Sequence, residues 1–174
     1  LLERLPEWST GEGAERIDRL IPSSPYSVDV GLARHAVELL RSLPVDAPQV
    51  GLLHGDLNPG NILRDSSAPS GDGWLAIDPK PVHGDLAYDP WPLLTQVGDW
   101  VDTTAAADEL VERTRRVADH TGLDAARIAS WCTARSLASG LWAADRGWWT
   151  GFRGADGDLR RATAWSRAAH VLGA

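Results

Sequence analysis

The segment His54-Gly55-Asp56-Leu57-Asn58-Pro59-Gly60-Asn61 constrains this chain more than any other. It leaves one short apolar run at 49–53, crosses a loop punctuated by Gly and Pro, and enters a second run at 61–64, so both flanks read as strands. A carboxylate and a carboxamide therefore stand at the two ends of one tight loop. A third strand is expected at 74–77, after the turn-rich stretch 65–73, whose Gly, Ser and Pro residues read as a hairpin turn rather than a linker. That hairpin ends at Ile77-Asp78-Pro79 and returns a second carboxylate to the side where the loop lies.

Around this centre the pattern is helical. Leu32, Ala36, Leu39, Leu40 and Leu43 recur at helical spacing, with Asp29 as N-cap and Pro44 as the stop. Asp89-Pro90 reads as a cap followed by Pro at the first helical position. Further helices are expected at 90–100, 104–120, 124–146 and 158–172. Residues 1–28 open with an apolar run and then carry Pro6, Gly11, Gly13, Pro22 and Pro25, which reads as a strand end and a connector. The resulting class is α+β, mainly helical, with a short β-hairpin region at the loop.

Composition sets the outer bounds. With 174 residues, 43% hydrophobic and 24% charged, the chain is long enough to bury one sizeable core. A net charge of −7 argues against nucleic acid as partner, because neutralising phosphates needs clustered Lys and Arg, and suits a cationic small molecule better. No stretch approaches the roughly 18 apolar residues of a membrane span and no basic-then-apolar leader opens the chain. A cytoplasmic protein without membrane contact is the expectation. The single cysteine, Cys132, excludes an internal disulfide and reads as a core residue. There is no Met, so Leu1 is not read as a translation start, and Lys80 is the one lysine against sixteen arginines.

Two carboxylates and a carboxamide gathered in this way suit phosphoryl transfer. That reaction needs a carboxylate within reach of an acceptor hydroxyl, and oxygen ligands that hold Mg2+ against the triphosphate of ATP. Asp and Asn in an isolated turn usually cap backbone groups. It is the joint occurrence, in this order across a hairpin, that points to chemistry. The spacing Asp-x-x-x-x-Asn is that of the kinase catalytic loop. With Ala76-Ile77-Asp78-Pro79-Lys80-Pro81, and Gly84-Asp85 to Tyr88-Asp89, the stretch 53–90 resembles the aminoglycoside phosphotransferase family, most of all its streptomycin 6-kinase and hydroxyurea phosphotransferase branch. The resemblance is tight over about 40 residues and loose over the rest of the chain.

The resemblance implies a protein-kinase-like fold, with Asp56 as catalytic base or orienter and Asn61 and Asp78 as Mg2+ ligands. It also implies an acceptor such as streptomycin or, failing that, hydroxyurea, a sugar or an amino alcohol. Gly55 stands where protein kinases carry Arg, and Pro79 where they carry Phe, which suits an unregulated small-molecule kinase. Lys80 follows Asp78, so it is not the strand lysine of an N-terminal nucleotide lobe. Residues 1–5 resemble the family's hinge strand, with Glu3 and Leu5 at the nucleotide. The expectation is therefore a hinge and connector at 1–28, a catalytic and acceptor-binding lobe at 29–174, and poor or no turnover by the chain alone.

Other residues admit structural roles. His54 reads as a loop-bonding histidine and Asp89 as a helix cap. Lys80 and His83 are candidates for phosphate or acceptor contact, and Asp85 for the acceptor pocket. Among the tryptophans of the later helices, most read as core, with Trp148 and Trp149 as the candidate pocket wall. A metal-dependent phosphoesterase would need more His and carboxylate ligands than His54, His83 and three scattered histidines supply. A non-catalytic kinase-like binding domain is the other alternative, against which the intact Asp56, Asn61 and Asp78 argue.

Overall fold

The computed structural model describes residues 29–67, 73–97, 106–148 and 154–174. Glu3, Leu5, Trp149, the whole 1–28 connector and the hairpin turn at 68–72 lie outside the described residues. Those that are described form five α-helices and four short strands in two antiparallel pairs, an α+β arrangement.

Helix α1, Val30–Ser42, begins where Asp29 Oδ1 accepts from the Leu32 N–H at 2.8 Å. It buries Ala33, Ala36, Val37 and Leu40 at the helical period read from the sequence. Strand β1, Val50–Leu53, leads into the loop. Strands β2, Ile62–Asp65, and β3, Gly73–Ala76, form the expected hairpin, Ile62 opposite Ala76 and Asp65 opposite Gly73. A fourth strand, β4, Val82–Asp85, was not expected. It pairs antiparallel with β1, Leu53 opposite Val82 and Val50 opposite Asp85. Its sequence Val-His-Gly-Asp is poor in strand formers, so pairing with β1, and not local propensity, makes it a strand.

A single 3-10 turn, Leu86–Tyr88, joins β4 to the short helix α2, Trp91–Thr95. The expected helix at 90–100 is described only over these five residues, and residues 98–100 lie outside the description. Helix α3 spans Ala106–Thr121 and α4 spans Ala125–Asp145, capped by Asp124, whose side chain accepts from the Arg127 N–H at 2.6 Å. Helix α5, Ala155–Leu172, starts three residues before the expected Asp158 and ends at Gly173 in the left-handed conformation, φ 98°. Asp158 is not its cap. It is buried within the helix, where it accepts from Ser139 Oγ of α4 at 2.6 Å and from Arg161 Nη1 at 2.8 Å.

The core lies around α4, which is buried on nearly all sides between α5, α1 and α3. Trp131, Cys132, Ile128, Leu137 and Leu141 of α4 and Trp165 of α5 are almost wholly enclosed. Truncating either tryptophan to Ala would cost about 3–5 kcal/mol. Gly140 lets the two long helices meet, since a Cβ there would stand 3.0 Å from the Leu159 side chain. Trp91 Nε1 donates to Ser136 Oγ at 2.9 Å and ties α2 to the same helix. No helix among the described residues is long and apolar enough to cross a membrane.

Candidate active site

The loop after β1 is built from its own polar groups. Asn58 Oδ1 accepts from the Gly60 N–H at 2.9 Å and caps a 3-10 turn, Pro59–Asn61. The Asp56 carbonyl oxygen is held by three donors: the Asn58 N–H at 2.8 Å, Asn58 Nδ2 at 3.2 Å and Asn61 Nδ2 at 2.9 Å. Both asparagines therefore fix the backbone at Asp56. On the other side, the Asp89 carboxylate accepts from the N–H groups of His54 and Gly55, each at 2.8 Å. His54 completes the frame: its Nδ1 accepts from the Asp56 N–H at 3.3 Å, which leaves Nε2 to donate to the Ile77 carbonyl at 3.0 Å.

That last bond reaches the second loop, which follows β3. Two backbone bonds reinforce it, from the Ile77 N–H to the Asn61 carbonyl at 2.9 Å and from the Lys80 N–H to the His54 carbonyl at 2.8 Å. The loops meet so closely at Gly55, φ 79°, that a Cβ there would stand 2.0 Å from the Lys80 carbonyl oxygen. Only glycine fits. Between the bonds, Asp78 adopts φ 54°, the one non-glycine residue with positive φ among those described, and is exposed. Such strain persists where surrounding bonds over-determine it, and here three bonds flank it.

Lys80 and Asn61 thus meet Asp56 across two cross-bonded loops, and Asp78 stands on the second of them. Lys80 Nζ lies 2.5 Å from Asp56 Oδ2, and Asn58 Nδ2 donates to Asp56 Oδ1 at 3.2 Å. Partial burial pushes the Asp56 carboxyl upward, but the hydrogen bonds from Lys80 and Asn58 and the charge of Lys80 outweigh it and hold the group below its usual range. Asn61 spends its amide N–H2 on the Asp56 carbonyl, which leaves Oδ1 as a ligand atom. Among the described residues, no hydrogen bond or ion pair takes up the Asp78 carboxylate. An amide oxygen and a carboxylate are donor types suited to Mg2+, a hard cation that takes few protein oxygens and completes its shell with phosphate and water.

The sequence profile of the family described as "Aminoglycoside/hydroxyurea antibiotic resistance kinase" matches residues 7–147. The chain belongs to this family. Among known members, it is 40% identical over 101 residues to a streptomycin 6-kinase of Streptomyces glaucescens and 36% identical over 99 residues to one of Streptomyces griseus. Each match covers 56% of this chain and 31% of the relative. A hydroxyurea phosphotransferase of Kitasatospora aureofaciens is 34% identical over 96 residues, 55% of this chain and 25% of that protein. The chain therefore spans less than a third of the length of these curated relatives. No solved structure matches it.

Other residues singled out in the sequence lie elsewhere. Asp85 does not join the cluster: it is buried, and its carboxylate accepts from Arg127 Nε at 2.6 Å, Trp131 Nε1 at 2.7 Å and the Ala87 N–H at 3.0 Å. His83 is exposed on β4 opposite Leu52. Trp148 is half exposed and packs edge-on against Trp142, ring centroids 5.2 Å apart.

Asp89 corrects the reading of it as a helix cap. Helix α2 has Pro90 at its N-cap and no side-chain cap bond, and both Asp89 oxygens serve the loop. Asn58 was missed, although its place inside the loop motif was visible. Arg135 was missed as well. It lies beneath the site, its guanidinium 3.7 Å from the Tyr88 ring centroid and 4.4 Å from that of Trp91, and Nη1 donates to the Tyr88 carbonyl at 2.8 Å. Burial pulls its pKa down, and the facing Tyr88, Cys132, Asp89 and Asp56 counter that pull. A lone Arg in a helix carries no sequence signal for such a place.

A cavity of about 520 Å³ backs the loop, lined by Leu52, Leu57, Leu86, Leu93 and Val117 with Asp89 at its wall. Asp56, Asn61, Asp78 and Lys80 do not line it.

Proposed function

We propose that this chain carries the catalytic centre of an ATP-dependent phosphotransferase of protein-kinase-like fold, acting on a hydroxyl of a small molecule. The observation that carries this reading is the assembly of Asp56, Asn61, Asp78 and Lys80 on two loops bonded to each other. In this reading residues 29–174 are the catalytic and acceptor-binding lobe, and the protein works in the cytoplasm, where nucleoside triphosphate is supplied.

Asp56 is the general base. Its carboxylate is kept ionised by its donors and takes the proton of the acceptor hydroxyl as that oxygen attacks the terminal phosphorus. Asn58 and Asn61, through the Asp56 carbonyl, and Asp89, through two N–H groups, hold the base against displacement, since a misplacement of about 1 Å can cost on the order of a hundredfold in rate. Asn61 Oδ1 and Asp78 are the oxygens that would hold Mg2+, which when bound neutralises phosphate charge. Glu3 and Leu5 are assigned to the nucleotide, and Trp148 and Trp149 to the acceptor side.

The acceptor is an aminoglycoside such as streptomycin. Two relatives are named for that activity, and the net charge of −7 suits a polycation. The test is ADP release by the complete gene product across aminoglycosides and hydroxyurea, with Asp56→Asn as control. Turnover with streptomycin that falls at least a thousandfold in the control is the expected result. Turnover with hydroxyurea alone would move the acceptor to that of the third relative. None with any acceptor, despite bound Mg-ATP, would favour a kinase-like binding domain.

A further inference from the structure

Both oxygens of the Asp56 carboxylate are occupied in the structure, but by partners of different kinds. Asn58 also caps its own turn and bonds the Asp56 carbonyl, so its contact with Oδ1 is part of the loop frame. Lys80 grips Oδ2 only through the tip of a flexible stem, and its side chain is 68% exposed against 28% for Asp56. While Nζ sits there, its bond and its positive charge make Oδ2 a weaker acceptor for a hydroxyl proton. The Lys80 backbone, in contrast, is fixed by its bond to His54 and by the contact at Gly55. Its root is rigid, its tip is free to swing, and it stands two residues from Asp78 on the same loop.

We propose that Lys80 is a phosphate-binding cation that exchanges partners, pairing with Asp56 in the free protein and with the transferred phosphoryl oxygens once a nucleoside triphosphate is bound. This rests on the phosphotransferase reading above. Arrival of the donor draws Nζ off Oδ2 and frees the base in the same movement. The acceptor O–H proton then passes to Asp56 Oδ2 as the acceptor oxygen forms its bond to the terminal phosphorus. The bond from that phosphorus to the bridging oxygen breaks, and its electron pair leaves on the nucleoside diphosphate. Lys80 remains an ammonium throughout, compensating charge on the moving group, and no proton passes through it. The base is thereby held in reserve until there is something to transfer.

Because Lys80 is the one lysine of the chain, labelling lysine with 13C gives a single side-chain reporter in these 174 residues. Titration with Mg2+ and inorganic triphosphate should shift the Lys80 Cε signal saturably, whereas Mg2+ with adenosine should leave it in place. Asp56→Asn should retain the response, since the phosphate and not the carboxylate is the final partner. Lys80→Met should weaken triphosphate binding about tenfold by calorimetry. In the complete gene product the same variant should lower kcat about 10²-fold to 10³-fold, as removal of one charge-stabilising donor does, and Lys80→Arg should recover at least a tenfold part of the loss. Equal triphosphate affinity in the wild type and Lys80→Met, with an unmoved Cε signal, would overturn the exchange and leave the phosphotransferase reading intact. Absence of triphosphate binding in both, together with no turnover in the complete product, would overturn the two together.

Discussion

Two Asp pairs with basic side chains differ sharply in burial, and their contrast separates what holds the fold from what serves the site. Asp85 and Arg127 meet at 2.6 Å with side-chain exposures of 2% and 13%. The remaining capacity of Asp85 goes to Trp131 and the Ala87 N–H, while Arg127 also bonds the Leu43 carbonyl and Asp46 at 3.0 Å. This pair joins β4, α4 and the end of α1 with no freedom left. Asp56 and Lys80 are as close, yet the lysine is mostly in water. A buried pair is costly to break because the survivor is stranded, whereas an exposed one contributes about 0–1 kcal/mol. Equal distances conceal opposite roles.

The largest effect expected from this contrast is on the buried side. Asp85→Ala should destabilise the protein by about 3–5 kcal/mol, stripping Trp131 and the Ala87 N–H of their acceptor and leaving Arg127 only the Leu43 carbonyl and Asp46, and thermal or urea unfolding would measure it. A loss below about 1 kcal/mol would remove the distinction. Gly55→Ala comes next, at about 2–3 kcal/mol or more, because the new methyl meets backbone and the φ of 79° is unfavourable for alanine. Its activity should fall further than its stability, as the two loops are forced apart. Asp89→Ala should cost about 2 kcal/mol by stripping the His54 and Gly55 N–H groups of their acceptor, with a drop in kcat that persists well below the midpoint of unfolding. Smallest is Lys80→Met, expected to change stability by less than about 1 kcal/mol. A larger loss would make the exposed pair structural after all.

The same two aspartates show where one-dimensional reading stops. Asp85 and Asp89 lie four residues apart in one motif, and both were visible as candidates. Which of them turns to the loop is decided by the 3-10 turn Leu86–Tyr88 and by β4, whose Val-His-Gly-Asp sequence becomes a strand only because β1 is beside it. What was legible has local causes. Asp29 caps the helix that follows it, the α1 face follows its helical period, and Asp56, Asn61 and Asp78 take their places from short segments whose turns are written in Gly, Pro and Asn. Asp158 marks the opposite case. It reads as a helix start by residue type, but is drawn into α5 because Ser139 and Arg161 satisfy it there. Arg135 was out of reach for the same reason, since its aromatic neighbours come from another part of the chain.

The meeting of Gly55 with the Lys80 carbonyl also bears on how such a chain can diversify. Where any added side chain would strike backbone, a position is closed to gradual change, and whatever alters it must rebuild both loops at once. In the proposed phosphotransferase, a change of acceptor would leave this junction alone and vary surfaces that tolerate substitution, such as that around the half-exposed Trp148. In that reading chemistry and selectivity would be separate traits, one tied to the junction and the other to surfaces open to change.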